Sequence, residues 1–424
     1  MVARVPRRLL VIVHPYPPVP SVGSNRWGAM VKYLRRAGHE VCVVTTGAFG
    51  ALPSDEEHDT VRTTDLMALP WLRRMAGLGP LAQPGAPATA VPPVPGLLTK
   101  TIVPDAFLLS WMPFARRAAR RAARERDFDC VITSAPSEST HFIGRALHRR
   151  GTPWVADFRD GWVFEPYRPE MPTAPQRALD RSLERRVVCS ADVVMAATKP
   201  IADDFESRLG VPALHVPNGW DPDLEPGPQS SRDGANGAVT LVHTGKLTGL
   251  RGRDPGVLFA GIRRALENDA GLRERLRVVL AGPQDHRDAE AIERAGLGDI
   301  VDYRGNLVRG DALALQREAD GLILLTSRDV CEATGKLFEY LGAGRPILAL
   351  AAGNEAARIV EETNTGIAVD PDDVEAVATA VAALARGELG QRYAPRDLER
   401  YVYPAPAEAT AAAVELAIEK HRSA

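Results

Sequence analysis

A chain of 424 residues, 45% hydrophobic and 25% charged, is too long for one ordinary core and has the make-up of a folded globular protein, so about two domains are expected. Its net charge of -2 offers no global field to nucleic acid or to an anionic surface. The cysteines, Cys42, Cys130, Cys189 and Cys331, include no CxxC pair, which argues against a disulfide framework or a zinc site and fits a reducing compartment.

The chain opens on arginines followed by an apolar run, residues 9–13, too short for the core of a signal peptide. It reads as a strand buried on both faces. A loop rich in proline and glycine runs from His14 to Ser24; Trp27, Met30, Val31 and Leu34 then recur at the spacing of one helix face. Gly38 stands where a helix C-cap is expected, ahead of a strand at 41–44. Residues 50–100 carry many prolines and little periodicity, which predicts a long surface excursion. A helix is predicted over 115–126, then strands at 130–133, 154–156, 193–196 and 214–216.

A second series begins near Val239, with strands at 240–243, 277–281, 300–303, 322–325, 346–350 and 366–369, and helices such as 257–267 and 374–385 between them. This alternation predicts an α/β fold of two Rossmann-like domains with parallel sheets. The expected boundaries are 1–216, with the insert at 50–100; a linker at 217–238 rich in Pro, Gly, Asp and Ser; 239–398; and a C-terminal Ala-rich helix within 399–424 that packs back on the first domain. No apolar stretch approaches the ~20 residues of a membrane span, so a cytoplasmic protein is expected.

In parallel sheets, ligands bind beyond the carboxyl ends of the strands. The first such place in the second half is Gly245-Lys246-Leu247-Thr248-Gly249-Leu250-Arg251-Gly252. Its glycines let backbone approach an anion, and Lys246 and Arg251 would set two cations beside a diphosphate; the bland alternative is a solvated loop. The second place runs from Glu332 through Thr334, Gly335, Lys336 and Glu339 to the Gly344-Arg345-Pro346 stop. Thr334 or Gly335 opens a helix whose free amides suit a phosphate, Lys336 adds charge, and Glu339, one turn deeper, could accept ribose hydroxyls. The alternative is a surface glutamate on a core helix.

These motifs resemble glycosyltransferase family 4. Gly245, Lys246, Leu247, Arg251 and Gly252 match its Gly-Arg-Leu-…-Lys-Gly loop with the two cations exchanged, and Glu339 with Ala343–Pro346 resembles the second half of its glutamate motif. The first glutamate of that motif falls at Cys331, with Glu332 one place off. Pro217-Asn218-Gly219 is similar to the family's interdomain signature, Tyr303-Arg304-Gly305-Asn306 (with Leu307 next) to its base-side loop, and Gly23-Ser24-Asn25-Arg26 to the glycine loop of its first domain. The resemblance implies a GT-B fold with the two domains facing across a cleft. It also implies a UDP-, GDP- or dTDP-linked sugar donor, no further cofactor, and transfer with retention.

In the first domain the acceptor candidates are Asp157, Arg159 and Asp160, acidic groups at a strand end that could orient or deprotonate a hydroxyl, and His141. A structural Arg–Asp pair and a structural histidine are the alternatives. Arg116, Arg117, Arg120, Arg121 and Arg124 line one side of the 115–126 helix, either as a solvated face or as a weak peripheral contact with anionic lipid or a lipid-linked acceptor. Asp221-Pro222-Asp223 falls in the linker, so no metal is expected. The expected activity is sugar transfer to a small-molecule, glycan or lipid-linked hydroxyl acceptor in polysaccharide or natural-product biosynthesis, without nucleic acid. A sugar-nucleotide epimerase, a non-glycosidic coupling enzyme and a catalytically silent nucleotide-sugar-binding protein are the alternatives on this fold.

Overall fold

The computed structural model describes residues 5–19, 21–81, 96–165, 168, 170–224, 238–247, 255–283, 286–351 and 353–423. The chain divides into two compact units: residues 1–218 together with 403–424, and residues 219–402. No helix among the described residues is long and apolar enough to cross a membrane.

The first unit is built on a seven-stranded parallel sheet in the order β3-β2-β1-β4-β5-β6-β7. The strands are β1 Arg8–Val13, β2 Glu40–Thr46, β3 Thr60–Thr63, β4 Cys130–Ala135, β5 Trp154–Phe158, β6 Val193–Ala196 and β7 Ala213–His215. The central strands are buried along their length (β4 entirely), as expected of a parallel sheet covered on both faces. One cover is the helix Val22–Arg36, which buries Trp27, Met30, Val31 and Leu34. Against the same core lies the last helix, Ala405–Ser423, through Ala407, Ala411, Val414, Ala417 and Ile418. Tyr403 stacks on Tyr33 at 5.3 Å, and Arg7 grips Glu415 through two hydrogen bonds of 2.8 and 2.7 Å. The helix Met112–Glu125 buries Ala115, Ala119 and Ala122 and turns Arg117, Arg121 and Arg124 to solvent.

The 50–100 excursion is more structured than its composition suggests. It supplies the edge strand β3 and, with residues following it, a small core of Met67, Ala76 and Ala106 with Leu72, Leu78, Leu98 and Phe107. Residues 82–95 lie outside the described residues.

The second unit has a six-stranded parallel sheet in the order β10-β9-β8-β11-β12-β13. Its strands are β8 Val239–Thr244, β9 Leu276–Ala281, β10 Val301–Tyr303, β11 Gly321–Leu325, β12 Ile347–Leu350 and β13 Gly366–Val369. The helices Gly256–Asn268 and Val374–Ala385 cover one face; Gly335–Ala343 and Glu355–Glu362 cover the other. Gly261 brings the first pair close, because a side chain there would collide with Val377.

Candidate functional site

Each sheet has one point where its connections reverse direction: between β1 and β4 in the first unit, and between β8 and β11 in the second. Helices and loops leaving the carboxyl ends diverge there and leave room for a ligand.

In the second unit, β8 runs into Gly245, whose φ of 107° suits only glycine comfortably. The Gly245 N–H donates to the Ala281 carbonyl at 2.5 Å, and the Gly282 N–H to the Gly305 carbonyl at 2.8 Å. A side chain on Gly282 would strike the backbone of Gly245, and one on Gly245 would strike the Lys336 side chain. The ends of β8, β9 and β10 thus form a bare backbone floor, with the aliphatic stem and ammonium of Lys336 lying across it.

Lys336 reaches that floor from the first turn of the Gly335–Ala343 helix. The N-cap, Thr334, makes no side-chain capping bond, and its buried hydroxyl has no hydrogen-bond partner. The helix thus begins without a side-chain cap, and its dipole favours an anion at that end. Deeper in the helix, Tyr340 is fully buried and its hydroxyl accepts the Thr244 N–H at 2.9 Å. Burial pushes its phenol up to about 12, so it stays neutral and fixes the helix to the end of β8. Gly342 lies against the Trp220 ring, and Gly344, at φ 67°, ends the helix in a left-handed turn.

The other predicted donor-side residues fall around this floor. Lys246 follows Gly245 and is half-buried; Asn306, exposed, and Leu307, half-buried, follow Gly305. Glu339 pairs with Arg309 at 3.2 Å. Glu332 is buried and turned into its own loop, where its carboxylate accepts the Ser327 N–H at 2.5 Å and the Ser327 hydroxyl. The carboxylate thus fastens its own loop, a task shared with Asn354, whose amide donates to Thr326 Oγ1 and the Ser327 carbonyl, both at 2.9 Å. Arg251 lies outside the described residues. Besides Asp221-Pro222-Asp223, a second Asp-x-Asp, Asp370-Pro371-Asp372, directly follows a strand of the second unit, where none was expected. It sits beyond the edge strand β13, where Arg328 pairs with both carboxylates and Asp370 caps the Asp372 N–H at 2.9 Å.

In the first unit, β1 leads into His14, whose Nε2 stands 2.8 Å from Asp65 Oδ2. Asp65, supplied by the stretch after β3, also accepts the Met67 N–H at 2.9 Å and the Thr46 hydroxyl at 3.0 Å. Burial works against its charge, but the bonds from His14, Met67 and Thr46 prevail and hold its carboxyl below the ordinary range. The His14 ring rests on Phe107 at 4.3 Å and Trp111 at 4.9 Å, with 13% of the side chain exposed. Neither residue stands out in the sequence, because 51 positions separate them. Gly23 and Ser24 open the Val22–Arg36 helix, where Ser21 accepts the Ser24 N–H at 3.1 Å. An added Cβ on Gly23 would lie 3.2 Å from Pro15 and 3.7 Å from Arg159. Arg159 in turn pairs with Asp160, and both remain partly exposed. Gly23, Arg159 and Asp160 are thus brought together beside the chain that leaves β1.

Asp157 and His141 are corrections. Asp157 is fully buried; its oxygens accept Arg26 Nη2 at 3.0 Å and Ser134 Oγ at 2.7 Å. Arg26, read above as part of a glycine loop, is equally buried and also ties the carbonyls of Val216 and Pro217, each at 2.9 Å, and Asn218 Oδ1 at 3.1 Å. The pair clamps the end of the first unit. His141 is buried among Phe158, Trp154 and Trp162, bonded to Thr133 Oγ1 at 2.8 Å, and burial drives its pKa down to about 3. It stays neutral and enclosed, so it cannot take a proton from a substrate at neutral pH.

A second buried cluster escapes the sequence. Glu138 and Asp105 hydrogen-bond to one another beside Arg168, which also holds Asp180. Burial, with Asp105 adding to it and Arg168 opposing, pushes Glu138 up to about 8; burial likewise raises Asp105 despite its bonds from Ser139. The folded chain thus holds a proton that the unfolded chain releases. Its stabilising contribution is full below the unfolded Glu value near 4.5 and fades as pH rises towards 8. Glu138→Gln should therefore flatten the fall in melting temperature between pH 5 and about 8; an unchanged slope removes this assignment.

Residues 23–219 match the family described as glycosyl transferase 4-like domain, and residues 240–386 the one described as glycosyl transferases group 1. Two curated relatives are both named D-inositol 3-phosphate glycosyltransferase. That of Paenarthrobacter aurescens is 28% identical over 196 residues, 44% of this chain and 47% of the relative. That of Geodermatophilus obscurus is 32% identical over 262 residues, 57% of each. The chain spans about half the length of the curated relatives it matches. Among solved structures, sucrose-phosphate synthase from Thermosynechococcus elongatus is similar in fold, with a TM-score of 0.61 at 18% identity over 95% of this chain and 97% of that one. The two parallel sheets are of the GT-B class.

Proposed function

The chain belongs to the family 4 glycosyltransferases, and from that premise we propose that it moves a sugar from a nucleoside diphosphate donor, held by its second unit, to a hydroxyl of an acceptor held by its first. The observation that carries this reading is Lys336 lying over the Gly245 floor at the mouth of an uncapped helix. As the bond from the anomeric carbon to the diphosphate breaks, negative charge gathers on the leaving oxygens. Lys336, Lys246 and the amides of Gly335 and Lys336 meet that charge without having to reorganise. At an effective dielectric near 20, one charge pair at ~4 Å is worth about 4 kcal/mol before desolvation; half of that is more than tenfold in rate. This supply of positive charge takes the place of a metal ion, so we read the chemistry as metal-independent. Glu339, steadied by Arg309, would accept the ribose hydroxyls, and Asn306 and Leu307 would flank the base.

On the acceptor side, His14 with Asp65, and Arg159 with Asp160, offer polar groups at the end of the first sheet. His14→Ala should lower kcat/KM for the acceptor about a hundredfold, the low end of what a positioned acid–base group contributes, with donor affinity unchanged; an unaltered acceptor kcat/KM rules His14 out. Weak contact with anionic lipid through Arg117 and Arg124 is a lesser part of the proposal, tested by sedimentation with vesicles.

The defining experiment presents UDP-, GDP- and dTDP-sugars with polyol acceptors, including the inositol 3-phosphate that the relatives' names suggest. One donor should raise the melting temperature and yield a glycoside plus free nucleoside diphosphate, with the anomeric configuration retained by NMR. A nucleotide-sugar epimer as product, or donor binding without turnover, overturns the proposal.

A further inference from the structure

At the opposite edge of the first sheet, where its strands begin, three metal-binding side chains converge. His148 ends the helix His141–His148, Asp192 precedes β6, and His421 sits in the last turn of Ala405–Ser423. His148 Nδ1 stands 3.2 Å from Asp192 Oδ2, and His421 Nδ1 stands 3.4 Å from Asp192 Oδ1. One donor atom from each of the three lies within 4.8 Å of the others.

An ordinary ion pair accounts poorly for this arrangement. His148 Nδ1 is buried yet forms no hydrogen bond to the carboxylate 3.2 Å away, so its donor direction passes beside the oxygen. The His421 contact is long for a hydrogen bond. In a tetrahedron with metal–ligand lengths of ~2.0–2.1 Å, adjacent ligand atoms stand about 3.3–3.4 Å apart, close to the separation that each imidazole nitrogen keeps from its own oxygen of Asp192. Asp192 is set in place for such a role: its N–H donates to the Trp154 carbonyl at 3.1 Å, and its Oδ2 accepts the Trp154 N–H at 2.8 Å. The imidazoles meet edge to face at 5.1 Å, each with 23% of its side chain exposed, so an ion can enter from solvent.

We propose that His148, Asp192 and His421 bind a divalent transition ion of the zinc class, with water as the fourth ligand, and that this ion staples the C-terminal helix to the first unit. Two imidazole nitrogens and one carboxylate oxygen are a donor set that suits zinc and not magnesium or calcium. The staple lies at the amino-terminal edge of the sheet, so the transfer chemistry proposed above does not draw on it.

The test titrates the full chain, stripped with a chelator, with Zn2+ by calorimetry, and with Co2+ by visible absorption. One ion per chain should bind, raise the melting temperature by several degrees, and give the strong d–d band of tetrahedral cobalt. His421→Ala, at an exposed helix end, and Asp192→Asn should each weaken binding about tenfold or more, while Cys189→Ala, which removes the exposed thiol nearby, should leave it unchanged. Absence of stoichiometric binding, equal affinity in the His421 variant, or loss confined to the Cys189 variant overturns the staple.

Discussion

Lys336→Ala is expected to slow sugar transfer by about 10²–10³-fold, the range seen when one preorganised donor to a developing oxyanion is removed. The reason lies in where the ammonium sits. It is held over a floor with no side chains, at the start of a helix that Thr334 leaves without a side-chain cap, so its removal takes away the cation set closest to that floor. The same variant should bind nucleoside diphosphate more weakly while its melting temperature stays close to that of the parent, because the stem crosses the floor rather than filling a core. Lys336→Arg should recover part of the affinity. Isothermal titration with nucleoside diphosphate decides the matter: an unchanged Kd in the alanine variant would show that the phosphates go elsewhere.

Asp157→Ala should produce the largest loss of stability. It strands the buried Arg26 guanidinium with carbonyls and an amide oxygen but no counter-charge. Breaking a buried pair on one side costs about 3–5 kcal/mol, or roughly 10 °C in melting temperature for a unit of this size. Replacing both residues, as in Arg26→Met with Asp157→Leu, should restore much of that loss, because no charge is then left unpaired. Chemical denaturation measures it. A single variant that loses activity with an unchanged unfolding midpoint would instead make Asp157 a participant in the reaction.

The strands that were plain in the sequence are those whose residues are apolar without interruption. Residues 9–13 and 322–325 announce themselves because a strand covered on both faces tends to be apolar without interruption. β3 does not: Thr60-Val61-Arg62-Thr63 is short and polar, and only its pairing with β2 makes it a strand. Missing β3 also hides Asp65, and with it the setting of His14. The second-unit motifs were easier to see, because Gly245-Lys246 and Gly335-Lys336 each directly follow a strand or open a helix, so local order predicts them. Arg26 and Asp157 are 131 positions apart, and adjacency alone could not show that each would neutralise the other. His141 followed two hydroxyl residues in an attractive local pattern, but its enclosure by Phe158, Trp154 and Trp162 comes from three other places in the chain.

The return of residues 403–424 to the first unit has a consequence for biosynthesis. During translation, the face made by Trp27, Met30, Val31 and Leu34 emerges early but must wait for Val414 and Ile418, made some 380 residues later, to shield it from water. Burying each of those two aliphatic side chains is worth about 1.5–3 kcal/mol. A nascent chain stalled before residue 405 would therefore carry an oily surface, making it a natural client for chaperones and a target for quality-control proteases.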